Sequence, residues 1–256
     1  MTPSESAAVM LETRALVKSL GGLPVARGID FRLERGDRHA LIGPNGAGKT
    51  SFINLLTGAL MPDSGEVLLG GEDVTSLPAE ARVKRGIGRT FQINTLFGGL
   101  SALENVLLAV SERHGLGGAM LRSTGAIRPL AQEAHDLLER LGLAADAGRP
   151  VRTLAYGRQR LVEIALALAL RPKVLFLDEP AAGLPSTETG IIIDTIESLP
   201  PDIAVLIIEH DMDLVFRLAR RVTVLVQGAI LLQGAPAEIA ADPRVRAVYL
   251  GEGAAT

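Results

Sequence analysis

The chain has no cysteine among its 256 residues. Disulfides and thiolate-based zinc or iron–sulfur centres are therefore excluded, and a reducing compartment is compatible with the composition. It also lacks an excess of charge of either sign, with 26 basic residues against 29 acidic ones and a formal net charge of −3. Such a balance leaves no electrostatic footprint for nucleic acid, which is not an expected partner. Long hydrophobic runs are missing as well. The longest apolar stretch, Leu161 to Leu170, is interrupted by Glu163 and preceded by Arg158 and Arg160. That is far short of the about 20 residues needed to span a bilayer. The opening residues Met1-Thr2-Pro3-Ser4-Glu5-Ser6 are polar and acidic, unlike a secretory signal. A protein of this kind that works at a membrane must dock on something else.

What is present is apolar residue in quantity. At 47% hydrophobic content the chain can bury a substantial core, and its length suits one large domain or a core with an inserted subdomain. Residues 11–33 read as an antiparallel pair of strands around Gly21-Gly22, followed by a strand at His39 to Ile42. A helix from Thr50 to about Leu60 and a strand from Glu66 to Leu69 come next. Ser101-Ala102-Leu103-Glu104 is a capping box that opens a helix. Residues 114–128 are Gly-rich and aperiodic and read as a loop, and Leu130 to Leu141 forms an apolar helical face stopped by Gly142. A helix from about Arg158 to Leu170 then precedes the buried-type strand Val174 to Leu177. A helix at about 186–199, a strand at Ile203 to Ile208 and a helix from Met212 follow. The alternation predicts an α/β fold with a parallel core sheet and ligands at the carboxyl ends of its strands.

The chemistry gathers at those ends. Gly43, Pro44, Asn45, Gly46, Ala47, Gly48, Lys49, Thr50 and Ser51 carry the spacing G-x-x-x-x-G-K-[ST]. This is a phosphate cradle: glycines let backbone N–H groups turn toward an anion, and the following helix points its positive end at the same place. Lys49 would reach the β- and γ-phosphates, and the Thr50 hydroxyl would bind Mg²⁺. Asp178 and Glu179 end a buried strand, where successive acids need partners; a Mg²⁺–phosphate site supplies them. Asp178 suits the metal, and Glu179 suits orienting or deprotonating an attacking water. His210 ends the next buried strand, where it could bond a γ-phosphate, whereas His39, His114 and His135 read as ordinary. Gly157 and its neighbours precede a helix N-terminus, a second place suited to an anion. Taken alone, Gln92 after a short strand would be a surface amide.

Together these residues resemble the nucleotide-binding domain of ABC transporters, over nearly the whole chain. Gly43 to Thr50 matches the Walker A loop, Gln92 the Q-loop, and Leu154, Ala155, Tyr156, Gly157, Arg158 and Gln159 the signature. Val174 to Asp178 matches Walker B, Glu179 the catalytic glutamate, Ala181 to Pro185 the D-loop region and His210 the switch histidine. The resemblance implies a P-loop NTPase core with a parallel sheet, an N-terminal antiparallel β subdomain and an inserted helical subdomain. One ABC ATPase domain would cover residues 8–252, with the core at 8–93 and 157–235, the helical subdomain at about 94–156 and a tail at 236–256. It further implies ATP and Mg²⁺, with Thr50, Gln92 and Asp178 on the metal and Glu179, His210 and Gln92 in hydrolysis. ATP would lie between Walker A of one subunit and the signature of a second, a paralogue or another copy. Two transmembrane permeases and, indirectly, a periplasmic or extracellular substrate-binding protein complete the expected assembly. The ATPase would then be peripheral, on the cytoplasmic face of the inner membrane.

Arg89-Thr90-Phe91-Gln92, Leu154-Ala155-Tyr156-Gly157, Leu177 to Leu184, Glu209 to Met212 and Val248-Tyr249-Leu250-Gly251 are most similar to the larger ATPase of branched-chain amino-acid importers. The tail also resembles the ATPase of lipopolysaccharide exporters, the second choice, and a soluble non-transport ABC ATPase ranks below it. Four positions depart from the wider pattern. Leu20 stands where an aromatic often stacks on adenine. Ala155 replaces a serine, Arg158 replaces a glutamine and brings a charge near the phosphate site, and Pro185 takes the place of an Asp or Asn.

Overall fold

In the computed structural model of the protein, residues 8–90, 96–116 and 124–250 are described. They fall into two compact units, Met1–Ile87 with Lys173–Glu179 and Leu199–Thr256, and Gly88–Pro172 with Pro180–Ser198. In the first, β1 (Val9–Leu20) pairs antiparallel with β2 (Leu23–Glu34), and its alternation buries Leu11 and Leu16 beside Ile29, Phe31 and Leu33. Then come β3 (Arg38–Ile42), α1 (Lys49–Thr57), β4 (Ser64–Leu69) and β5 (Glu72–Asp73). The order β2-β1-β4-β5 makes a four-stranded antiparallel sheet. Next are α2 (Ala79–Arg85) and β6 (Ile87–Arg89). The second unit contributes α3 (Ala102–Arg113), α4 (Thr124–Arg140) and α5 (Tyr156–Ala169). The chain returns through β7 (Val174–Asp178), passes along α6 (Ser186–Glu197), and continues with β8 (Ala204–Ile208), α7 (Met212–Leu218), β9 (Arg221–Val226) and β10 (Ala229–Gly234). It closes with α8 (Pro236–Ala241) and α9 (Pro243–Leu250).

The main sheet runs β10-β9-β3-β8-β7-β6, with β9, β3, β8 and β7 mutually parallel. Every residue of β7 and β8 is buried, as expected of parallel strands covered on both faces. Phe31, Leu41, Phe52, Phe176 and Leu206 share one core, so the antiparallel sheet, α1 and the parallel sheet fold as a body. Its consequence for function is that β3, β8 and β7 are neighbours and present their carboxyl ends on one edge.

The second unit is helical and polar contacts pin it. The predicted capping box at Ser101 and Glu104 is formed. The buried Asn105 side chain accepts the Phe97 N–H at 2.9 Å and donates to the Phe97 and Ser101 carbonyls. Glu133 of α4 accepts from Arg113 and Arg171, each at 2.7 Å, and these guanidiniums hold its carboxyl down at about 2. One sequence expectation fails here. Residues 124–128 are helix rather than loop, because α4 starts at Thr124 and runs through Pro129. A proline past the first turn forfeits one backbone hydrogen bond, which the following apolar face of Leu130, Ala134, Leu137 and Leu138 offsets by burial. No helix among the described residues is long and apolar enough to cross a membrane.

His39, ordinary by sequence, is fully buried on β3, with Nε2 2.7 Å from the Thr223 hydroxyl and its ring 5.0 Å from that of Phe31. Burial pushes its pKa down to about 3, with the nearby Arg221 charge acting in the same direction. The imidazole therefore stays neutral in the fold, while the unfolded chain takes up a proton below about pH 6.5. Its contribution is fully present above that pH and drains away as pH falls toward 3. Between pH 6.5 and 5 the loss is about 2 kcal/mol. Urea midpoints across that range should fall more steeply for the native chain than for His39→Gln, and equal slopes would contradict this account.

Candidate nucleotide site

The phosphate loop leaves β3 at Gly43, with φ 154°, where a Cβ would run into the Leu225 carbonyl. Gly48, the N-cap of α1, is left-handed at φ 100°, and a Cβ there would meet the Val25 carbonyl. The loop is braced from outside. The Gly228 N–H donates to the Ala47 carbonyl at 2.8 Å, and the Arg27 N–H donates to the Gly228 carbonyl at 2.8 Å. The brace at Gly228 was not singled out from sequence, since its partners on β2 are remote in the chain. Ala47 is buried, while Asn45, Gly46 and Thr50 are exposed. The Lys49 ammonium donates to the Gly43 and Pro44 carbonyls, which holds it over the loop. The first turn of α1 has neither a side-chain cap nor an acid. Its N–H groups, the ammonium and the Thr50 and Ser51 hydroxyls make a donor-rich loop end whose chemistry fits a polyphosphate.

On the neighbouring strand ends, Asp178 closes β7 with 5% exposure, and Glu179 follows in the left-handed region at φ 46°. That conformation costs a non-glycine residue about 1–2 kcal/mol. The Glu179 N–H donates to the Ile208 carbonyl at 2.9 Å, which ties the strained residue to the end of β8. His210 lies just beyond β8, largely exposed, with Nδ1 3.6 Å from Oε1 of Glu179. Tertiary structure thus brings together the acid and the histidine that sequence placed on separate strands. Glu209, between the end of β8 and His210, is buried, a third acid at these strand ends. Asp178 and the Thr50 hydroxyl are hard oxygen donors of the kind Mg²⁺ takes. Gln92 lies outside the described residues. Leu20 ends β1 with 44% exposure.

The signature residues belong to the second unit. Leu154 is buried, Ala155 is the N-cap of α5, and Tyr156 and Gly157 begin that helix. Gln159 donates from its side chain to the Leu154 carbonyl at 2.9 Å. Arg160 donates to the hydroxyl of the partly exposed Tyr156 and forms a buried pair with Glu163, both at 2.8 Å. Arg158, expected to add charge at the phosphate end, instead bonds the Gly142 carbonyl at 2.7 Å and lies 3.8 Å from Asp146. Pro185 is the N-cap of α6, and its carbonyl accepts the Glu188 N–H at 2.9 Å. Gly183 and the Tyr156 ring are neighbours, so the 181–185 segment lies against the signature.

Residues 26–182 match the ABC transporter family, and residues 229–255 match a branched-chain amino acid ATP-binding cassette transporter segment. The chain is 41% identical over 253 residues to the high-affinity branched-chain amino acid transport ATP-binding protein BraF of Pseudomonas aeruginosa, covering 95% of this chain and 98% of that protein. It is 39% identical over 251 residues to the corresponding protein LivG of Escherichia coli, with coverage of 95% and 98%. Among solved structures, a nucleotide-free ATP-binding cassette from an ABC transporter superposes with a TM-score of 0.83 at 29% identity, covering 94% of this chain and 98% of that one. A cassette in its ADP conformation gives 0.82 at 29% identity, with 95% and 99% covered. With a family match across most of the chain and the same fold in those cassettes, this chain belongs to the ABC transporter family, as one of its ATP-binding, ATP-hydrolysing subunits.

Proposed function

We propose that the chain powers import of branched-chain or chemically related amino acids, as a peripheral subunit on the cytoplasmic face of the inner membrane. The observation that supports it best is end-to-end similarity, 39–41% identical over 95% of the chain, to proteins named for that transport. In this reading the triphosphate of ATP lies on the N–H groups of Gly46 to Thr50, with Lys49 leaving the loop carbonyls for the β- and γ-phosphates. Thr50, Asp178 and Gln92 would hold Mg²⁺, which when bound neutralises phosphate charge. Glu179 accepts the proton of a water whose oxygen attacks the γ-phosphorus as the bond to the β,γ-bridging oxygen breaks. His210 steadies Glu179 and the γ-phosphate, and Leu20 gives the adenine an apolar contact. Leu154 to Gln159 act on the nucleotide of a second ATPase subunit, a paralogue or another copy. The helical segment at about 94–156 meets two permeases, which receive their cargo from a periplasmic or extracellular binding protein.

Uptake tests the substrate class. Cells lacking the gene should lose uptake of radiolabelled leucine, isoleucine or valine while keeping that of an unrelated sugar. The native chain should restore it and Glu179→Gln should not. Undiminished uptake of all three amino acids in the deletion strain would overturn the assignment.

A further inference from the structure

Gly157 lies in the first turn of α5 without a positive φ, so the backbone there does not require glycine. What the residue leaves is room. A Cβ at 157 would collide with Oε2 of Glu188, from α6, and that carboxylate accepts the Gly157 N–H at 3.0 Å. A side-chain anion thus fills the space, and takes the donor, that the start of α5 offers to an anion. Nothing in α5 itself does so: Ala155 has no side-chain acceptor, and the first turn contains no acid. The cation of that turn, Arg158, is directed to Gly142 and Asp146 instead.

We propose that Glu188 is a resident anion of the signature, holding the Gly157 N–H in place of a phosphate oxygen and setting the threshold at which the signature accepts the γ-phosphate of another subunit's ATP. This rests on the reading of residues 154–159 as one half of a shared nucleotide site. A carboxylate and a phosphate cannot both take one N–H, and their like charges repel at that distance. Glu188 must therefore withdraw before the signature engages. The short segment 180–185 joins Glu179 to α6, so the hydrolytic carboxylate and the one on the signature are linked along the chain. Glu188 touches no reacting atom in this scheme and is a positioning residue.

The test uses the full chain with the ATPase and permease subunits that co-purify with it from membranes, comparing the native protein with Glu188→Gln and Glu188→Ala. Glu188→Ala should lower the apparent KM for MgATP by roughly five- to tenfold, the scale of one anion removed from a helix N-terminus. The kcat should change by less than about twofold. Glu188→Gln keeps an acceptor but drops the charge and should give roughly a threefold lower KM, so it carries the test even if the alanine variant fails to fold. A helix cap with no gating role predicts the opposite pattern: a lower Tm in Glu188→Ala, full recovery in Glu188→Gln, and KM unchanged in both. That result would overturn the proposal. Amide exchange of the peptide spanning 154–160 separates the two levels. If saturating ATP protects this peptide in the native complex, but KM is indifferent to Glu188, only the gate is lost. If ATP never protects it, in native or variant complexes, the shared-site reading and the gate fall together.

Discussion

Replacing Glu179 with glutamine is expected to leave ATP binding close to native and to slow phosphate release about 10²–10³-fold. That lies within the about 10²–10⁴-fold that a positioned general base contributes. The substitution keeps side-chain volume and removes only the carboxylate's ability to take a proton. ATP affinity should survive, because the loop donors that would hold the phosphates belong to β3 and α1. The strain at this residue gives an independent check. Glu179 sits at φ 46°, where glycine carries no penalty. Glu179→Gly should therefore raise thermal stability, by about 1 kcal/mol, while abolishing turnover. A position that is more stable when inactive is one whose conformation is held for chemistry. Single-turnover phosphate release together with equilibrium binding of a fluorescent ATP analogue measures both halves. Turnover of Glu179→Gln within about threefold of native would remove the residue from the role of base.

Arg82 carries the largest expected effect on stability. It is fully buried in α2, and its guanidinium donates to the Leu55, Leu56, Thr75 and Leu77 carbonyls at 2.7 to 3.0 Å. Leu55 and Leu56 lie in the last turn of α1, the helix that begins at Lys49. A cation there meets the negative end of the helix and satisfies carbonyls that no later turn can reach. Burial pulls the guanidinium down to about 10, partly offset by Asp73, which leaves it charged at neutral pH. Arg82→Ala removes the donors and leaves a cavity beside bare carbonyls, so the loss should be about 3–5 kcal/mol. In a chain of this size that corresponds to roughly 10 °C in Tm. Arg82→Lys should recover only part of it, since a single ammonium cannot reproduce a planar fork of donors. A change in Tm below about 2 °C for Arg82→Ala would contradict the assigned role. The site would feel the same change, because Arg82 fixes the far end of the helix whose near end is the phosphate cradle.

These two residues differ in how far sequence could reach them. Glu179 was legible: it follows a four-residue apolar run and an aspartate, and the phosphate loop upstream supplied a reason for both acids. The loop itself was legible because its chemistry is local, with glycines, lysine and hydroxyl acting within eight consecutive positions. The parallel sheet followed from unbroken apolar runs such as Val174 to Leu177. Arg82 was invisible, since a short helix with no apolar period gave no sign that its arginine would be buried against carbonyls 26 and 27 residues away. His39 read as ordinary because its burial depends on which strands flank β3. Glu188 gave no signal either, standing among polar residues with its partner N–H 31 positions upstream. The start of α4 was misplaced because glycine and proline suggest a loop until a packed apolar face outweighs them.

The signature shows where the division falls. Sequence alone placed Leu154 to Gln159 at the start of a helix with a glycine among them, a setting in which backbone N–H groups can meet an anion. Only the tertiary structure decided that an anion from the same chain already occupies it. Spacing along a chain sets which N–H groups a helix start exposes, because that geometry is local to a few residues. Which acceptor meets them depends on how α6 packs on α5, and that is set by burial over the whole unit.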